Sequence, residues 1–251
     1  KMIYRWMGVR TEMEMKSDSN HEHNLILQEW RNTGTSWTNH HPFEKNGYFV
    51  IKGLCDPKKL YHDLPKERGT LKWFGKKLSN YKNYGVETQV EGSLSRYLHP
   101  QYSKIHNDIR LILEKFIKRK LYNTYYYDRF YFPGQELIRH LDRPACEISV
   151  SVHVSSNIKQ DWAFYIKTPD GYKDSSKKEV SYYGKEVSIV LKPGDGIVYK
   201  GCERPHWRNK MPGFLDTHLH KSKLDELYYH QIFFHYVLQD GYRTNFAYDR
   251  S

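Results

Sequence analysis

Residues 148–154 read ISVSVHV, so Ile148, Val150, Val152 and Val154 fall on one side of an extended chain and Ser149, Ser151 and His153 on the other. A strand of that pattern needs a layer over its apolar face, and from there on no segment carries a helical period. DWAFYIK (161–167), VSYYG (180–184), EVSIVLK (186–192), GIVYKG (196–201) and HQIFFHYVL (230–238) follow as short strands. Turn signals such as Pro169-Asp170-Gly171 and Pro193-Gly194-Asp195 separate them. Many short strands at close spacing specify a sandwich or a jelly roll.

The chain ahead of this region is organised differently. Ile105, Ile109, Ile112 and Phe116 are spaced by four, three and four, the stripe of an amphipathic helix over 102–119 that should pack against a sheet. NGYFVIKGL (46–54) is an Asn-Gly turn leading into a strand, and Thr124–Phe132 is an almost wholly aromatic strand closed by Pro133-Gly134. Short helices are expected around Asn24–Trp30 and after Asp56. The fold class is therefore α+β, mainly β, with N-terminal and supporting helices ahead of a β-rich barrel. The expected layout is an N-terminal extension over 1–45, one domain over 46–240 with its supporting helix at 102–119, and a C-terminal tail over 241–251.

A length of 251 residues suffices for one substantial core, and 16% aromatic residues, 22 of them Tyr, mark a folded chain. Apolar runs such as Ile232–Phe234 fall far short of the roughly 20 residues a membrane helix needs. The opening KMIYRWMGVR has a charge every few positions and no apolar stretch, so no secretion signal is expected. Cys55, Cys146 and Cys202 lack CxxC spacing, which argues against a disulfide framework and a cysteine zinc site. Cys146 and Cys202 are expected to sit in the core as small apolar groups. An intracellular, cytoplasmic location follows. The net charge of +11 suits nucleic acid or an acidic partner, but the charges are scattered, as on a solvated surface.

Chemistry enters at RHLDRPACEIS (139–149). His140 and Asp142 are two surface residues by chance, or two ligands of a metal whose third ligand lies elsewhere. In an extended strand, residues i and i+2 point to the same side, so the pair can grip one ion from a single strand end. Two histidines and one carboxylate on one face suit a redox-active ferrous ion and leave three positions open for a chelating co-substrate and dioxygen. His206 is the best third ligand, because it follows the Pro193-Gly194-Asp195 turn and a short apolar strand. His21, His23, His40, His41, His218 and His220 lie in polar stretches and are expected at the surface.

YFPGQELIRHLDRPACEIS (131–149), GDGIVYKGCERPHWR (194–208) and HQIFFHYV (230–237) together resemble the prolyl 4-hydroxylase-like branch of the Fe(II)/2-oxoglutarate-dependent dioxygenases, particularly small bacterial and phage members. The similarity spans roughly residues 46–240. It implies a double-stranded β-helix, cupin-like, that holds Fe(II) by His140, Asp142 and His206 while 2-oxoglutarate chelates the iron. It further implies that O2 converts 2-oxoglutarate to succinate and CO2 while a substrate C–H bond is hydroxylated, with ascorbate as a stimulating reductant. Peptidyl proline in a peptide or protein, proline-rich repeats included, is the implied substrate, as in procollagen-proline hydroxylases. A phage origin would place the protein in the host cytoplasm.

The pattern departs from the family at one place. Relatives carry a Lys or Arg about ten residues after the distal histidine for the far carboxylate of 2-oxoglutarate, and here that position is Asp216. Arg208, two residues beyond His206, is the first choice instead, since its planar fork suits bidentate pairing. Tyr131 and His153 are the auxiliary donors, and Lys167 is the reserve cation. Arg143 and Glu147 read as structural. The Tyr-rich stretch Trp73–Tyr97 is expected to cover the substrate. Two rival functions remain open: a nucleic-acid base dioxygenase or demethylase, motivated by the charge, and a non-catalytic jelly-roll protein binding a metal or a sugar. Asp142 argues against a halogenase, which needs Ala or Gly there to admit halide. Oligomeric state is not legible.

Overall fold

The computed structural model describes residues 42–60, 85–86, 89–169, 184–213 and 227–249. The expected helix at 24–30, most of VSYYG, Asp216 and the six surface histidines lie outside the described residues. Two short helices, α1 (Pro42–Asn46) and α2 (Pro57–Leu60), flank strand β1 (Tyr48–Ile51). Strands β2 (Gly85–Val86) and β3 (Leu94–Tyr97) precede the long helix α3 (Ser103–Ile117), and β4 (Leu121–Tyr131) follows it. Then come β5 (Leu137–His140), β6 (Ile148–Ser156), β7 (Phe164–Lys167), β8 (Glu186–Ile189), β9 (Gly196–Tyr199), β10 (His206–Arg208) and β11 (Tyr229–Leu238).

Two antiparallel sheets result. The larger runs β1-β9-β6-β11-β4-β3-β2 and the smaller β5-β10-β7-β8. From β5 onward the chain crosses between them, β5 in the small sheet, β6 in the large, β7 and β8 in the small, β9 in the large, β10 in the small, β11 in the large. This is a double-stranded β-helix, the jelly-roll class expected from the strand pattern.

Parity along the large sheet decides which side chains face where. On β6, Val150, Val152 and Val154 join Ile109, Leu113 and Ile117 of α3 and Ile232 and Phe234 of β11 in one cluster outside the barrel. Each such side chain contributes about 1.5–3 kcal/mol on burial. The opposite face of the same strands turns Ser149, Ser151 and His153 inward, all at most 4% exposed. The sheets meet through aromatic rings: Tyr199 lies 4.6 Å from His206 and 5.2 Å from Phe164, and Trp162 lies 5.1 Å from Tyr229.

Three expectations shift. The buried stripe of α3 is His106, Ile109, Leu113 and Ile117, one step round from the expected one; Phe116 is 47% exposed and stacks on Phe49 at 5.7 Å. Glu114 fixes that rotation, because its carboxylate accepts Arg110, Lys120 and the Leu121 N–H and so ties the helix end to β4. Second, residues 94–97 of the expected covering loop are β3, an integral strand paired with β4, and Arg96 forks onto Asp128 across that pair. The rest of that stretch, apart from 85–86 and 89–93, lies outside the described residues. Third, Phe43 is only 1% exposed and packs edge-on to Phe49, so core packing begins ahead of residue 46. Among the described residues no helix is long and apolar enough to cross a membrane.

Candidate metal centre

Strand β5 ends at His140, and β10 begins at His206 directly opposite it in the antiparallel register. The sequence placed His206 at the end of the GIVY strand; it instead opens the next strand, in the other sheet, after a tight turn over 200–204. Asp142 lies just beyond β5, anchored by its own N–H donating to the Gly201 carbonyl at 2.9 Å. That bond links the loop after β5 to the turn after β9 and sets the carboxylate between the two imidazoles.

The distances make one site. Asp142 Oδ1 is 3.4 Å from His140 Nε2 and 3.4 Å from His206 Nε2, and the ligating atoms all fall within 4.8 Å of one another. Each imidazole donates Nδ1–H to a main-chain carbonyl two residues back, His140 to Ile138 at 2.7 Å and His206 to Arg204 at 2.9 Å. A carbonyl can only accept, so both Nε2 atoms keep a lone pair aimed at the centre. Burial, and then His206, pulls His140 below the usual histidine value. Burial alone would raise the Asp142 carboxyl, but the two imidazoles outweigh it and hold the group well below its usual range. Two imidazole nitrogens and one carboxylate oxygen form the donor set that suits a ferrous ion with open positions. The Gln89 amide nitrogen stands 3.3 Å from His140 Nε2.

Asp142 also lies within reach of a second donor set, Cys146 and His235. Its groups are committed elsewhere. Burial, and then Asp142, holds the Cys146 thiol well above its usual value, so it stays protonated with its sulfur against the Tyr125 hydroxyl at 3.2 Å. Burial lowers His235 to about 3, leaving it neutral, and its Nδ1 lies 3.0 Å from Ser149 Oγ.

Arg208 projects from β10 on the same side as His206 and is 1% exposed. Nη1 donates to the Trp162 carbonyl at 2.7 Å and Nη2 to the Tyr229 hydroxyl at 3.4 Å, while Nε has no partner. The guanidinium sits 4.7 Å from the Trp162 ring centre, 4.8 Å from Tyr229 and 5.6 Å from Phe164. No carboxylate among the described residues pairs with it. Cation–π contacts are worth about 0.5–2 kcal/mol each, against a burial penalty of several kcal/mol for the charge. A bound carboxylate in this box would supply the missing counter-charge.

The other expected groups fall around or away from that box. Tyr131 is fully buried with its ring 5.0 Å from Trp162; its hydroxyl accepts from Arg129 Nη1 at 3.1 Å, which frees its own proton to donate. His153 stacks on Tyr229 at 4.2 Å. It is not the donor the sequence suggested: burial lowers it to about 4 and its Nδ1–H is spent on the Leu191 carbonyl at 2.8 Å, so its unpartnered Nε2 accepts. Lys167 stands on the outer face of β7 and pairs with Glu186 at 3.8 Å, which removes it as the reserve cation. Arg143 packs 4.4 Å from the Tyr125 ring and pairs with Asp249, and Glu147 accepts the Leu238 N–H and Arg243. Both therefore fasten the segment after β11 onto the turn that follows Asp142.

Sequence reasoning passed over Ser149, Gly201, Trp162 and His235. Ser149 and His235 were within reach, since they share the inward faces of β6 and β11 with His153 and Gln231. Trp162 and Gly201 carried no pattern signal, because their roles arise from neighbours remote in sequence.

No protein-family model matches the chain, and no curated protein matches it significantly. Solved structures do match. An oxidoreductase of the 2OG-Fe(II) oxygenase family from Burkholderia pseudomallei aligns over 88% of this chain and 96% of its own, with a TM-score of 0.52 at 10% identity. HygX from Streptomyces hygroscopicus, with nickel, 2-oxoglutarate and hygromycin B bound, covers 79% and 85% with a TM-score of 0.50 at 12% identity. The non-heme alpha ketoglutarate dependent epimerase SnoN from nogalamycin biosynthesis covers 77% and 80% with a TM-score of 0.50 at 9% identity. At such identities the likeness establishes a shared fold.

Proposed function

We propose that this protein is an Fe(II)- and 2-oxoglutarate-dependent oxygenase that hydroxylates a substrate C–H bond. One observation carries the proposal: the His140–Asp142–His206 donor set and a buried Arg208, which no carboxylate among the described residues pairs with, lie together, His206 and Arg208 two residues apart on β10. The HygX structure, which holds nickel and 2-oxoglutarate in this fold, supports it. When bound, iron and 2-oxoglutarate supply the oxidising chemistry, in which O2 gives one oxygen atom to succinate and the other to the product.

The chain's own residues have separate tasks. His140 and His206 present Nε2 atoms whose direction is set by their Nδ1–H bonds, so the rings need not turn when the metal arrives, and only the Gln89 amide must leave His140 Nε2. Asp142 brings one negative charge and stays ionised at any ordinary pH. Arg208 and the Tyr131 hydroxyl are the donors for the far carboxylate of 2-oxoglutarate, while Trp162, Phe164 and Tyr229 exclude water from that pairing. The finer assignment, to peptidyl proline as substrate, rests on the likeness of YFPGQELIRHLDRPACEIS and GDGIVYKGCERPHWR to prolyl 4-hydroxylase motifs.

Incubation with Fe(II), 2-oxoglutarate, O2 and a panel of proline-rich peptides tests the proposal, with succinate and a mass gain of one oxygen atom as readouts. Succinate from the parent and none from His140→Ala is the expected result. Absence of succinate in both, together with equal iron binding by both, would overturn it. Succinate without peptide hydroxylation would remove proline alone.

A further inference from the structure

Asp142 must offer the metal one oxygen rather than two if three coordination positions are to stay open, and the chain contains a device for this. Ser149 Oγ lies 2.8 Å from Asp142 Oδ2, the oxygen that faces away from the imidazoles. It also lies 3.0 Å from His235 Nδ1 and 3.2 Å from the Cys146 carbonyl, and the Tyr199 side chain hydrogen-bonds it as well. A hydroxyl has one proton, and the charged carboxylate takes it in the shortest of these contacts. With its proton directed at the carboxylate, Oγ can only accept, so His235 Nδ1–H donates into it at 3.0 Å and completes a directed chain from His235 through Ser149 to Asp142. Behind the carboxylate there is no slack: a Cβ at Gly201 would lie 2.4 Å from Asp142 Oδ2 and 2.6 Å from Ser149 Oγ.

We infer that Ser149, oriented by His235, is the positioning residue that holds Asp142 as a single-oxygen ligand, an inference that rests on the metal centre proposed above. Oδ2 is held by a hydrogen bond, the Asp142 N–H is held by Gly201, and only Oδ1 stands between the two Nε2 atoms. Without the hydroxyl, Oδ2 is free to swing toward the metal and occupy a position that co-substrate or oxygen requires. Nothing in the donor set itself prevents this, because the carboxylate has two equivalent oxygens.

The test uses the full-length protein loaded with Co(II), whose visible absorption reports coordination number without turnover. The parent is expected to bind Co(II) and His140→Ala to bind it far more weakly. Ser149→Ala is expected to lose about tenfold in Co(II) affinity, the lower end for outer ligand partners, and to show a visible band of different intensity and position. Ser149→Thr, which keeps the hydroxyl, is expected to restore the parent spectrum. Thermal unfolding of the metal-free proteins separates this from a folding defect. Should Ser149→Ala not fold, His235→Phe carries the test, since it leaves the hydroxyl and removes what orients it; a changed cobalt band is again expected. A His140-dependent parent site with unchanged affinity and spectrum in the serine variant, or in His235→Phe where that stands in, overturns the inference and leaves the metal centre intact. No Co(II) binding by the parent, or equal binding by His140→Ala, overturns both.

Discussion

Replacing Arg208 by Met separates a structural arginine from a ligand anchor, because the first role shows without 2-oxoglutarate and the second only with it. Among the described residues no carboxylate pairs with the guanidinium, which is 1% exposed, and removing it relieves a penalty of several kcal/mol. Against this, the Trp162 carbonyl loses its 2.7 Å donor, which costs about 1–3 kcal/mol for an orphaned buried acceptor. The two nearly cancel, so metal-loaded, co-substrate-free Arg208→Met should unfold within about 2 kcal/mol of the parent. With 2-oxoglutarate the outcome differs. Truncating one partner of a buried charge pair costs about 2–5 kcal/mol, or from about 30-fold to a few thousand-fold in Kd. At a ligand concentration of about 100 times the parent Kd, mass action stabilises the parent by about 2.7 kcal/mol, a Tm rise of roughly 5–10 °C for a chain of this size. The same concentration should raise the variant by less than about 3 °C. Thermal scans with and without 2-oxoglutarate read both effects. A variant that loses more than about 4 kcal/mol without ligand yet keeps the parent's shift with it would refute the reasoning, since Arg208 would then be holding the fold and not the acid.

Three further outcomes follow from particular contacts. Gly201→Ala forces a methyl group against Asp142 Oδ2 and the Cys146 carbonyl, both at 2.4 Å; a loss of about 1–3 kcal/mol in denaturant melts, together with weaker metal binding by titration, is expected. Asp128 is fully buried and takes Arg96 in a fork and His230 at 2.9 Å. Asp128→Asn should cost about 3–5 kcal/mol and, because Asp128 lies on the outer face of β4, leave cobalt affinity unchanged. His106 is buried among Tyr126, Phe234 and Tyr236, and burial lowers it to about 4 from 6.5. The unfolded chain binds that proton first as pH falls, so the contribution of His106 to stability is complete above pH 6.5 and drops by about 3 kcal/mol between there and pH 4, beside those of His153 and His235. His106→Gln should make that limb of the stability profile shallower by this share, read from denaturant melts at about pH 4 to 7.

The strands were legible because their signal is local: alternation on β6 and apolar runs on β9 and β11 survive without knowledge of their partners. The grouping of the candidate ligands was legible for the same reason, since His140 and Asp142 share one strand end and His206 sits behind a turn that only a few residue types make. What escaped is tertiary. The stripe of α3 was misplaced by one residue because Ile105, Ile112 and Phe116 satisfy the helical period as well as Leu113 and Ile117 do, and only Glu114 bonding to Leu121 selects the rotation. Lys167 reads as available in the sequence but has Glu186 opposite it, and His153 reads as a donor but already donates its Nδ1–H to the Leu191 carbonyl.

The polar face of ISVSVHV also explains why this barrel can hold a charged site at all. A two-layer β-structure normally fills its interior with apolar side chains, and Ser149, Ser151 and His153 pointing inward would ordinarily cost stability. Here α3 covers the opposite face, so Val150, Val152 and Val154 find their hydrophobic contacts outside the barrel. The inward positions are thereby released from packing duty. Ser149 goes to Asp142, Ser151 accepts from Gln231 at 2.7 Å, and His153 lines the Arg208 box through Tyr229. The supporting helix and the candidate metal site thus rest on one strand read from its two sides. Loss of the helix contacts should therefore disturb Asp142 through β6 before it disturbs His140, whose orientation is fixed within β5 by the Ile138 carbonyl.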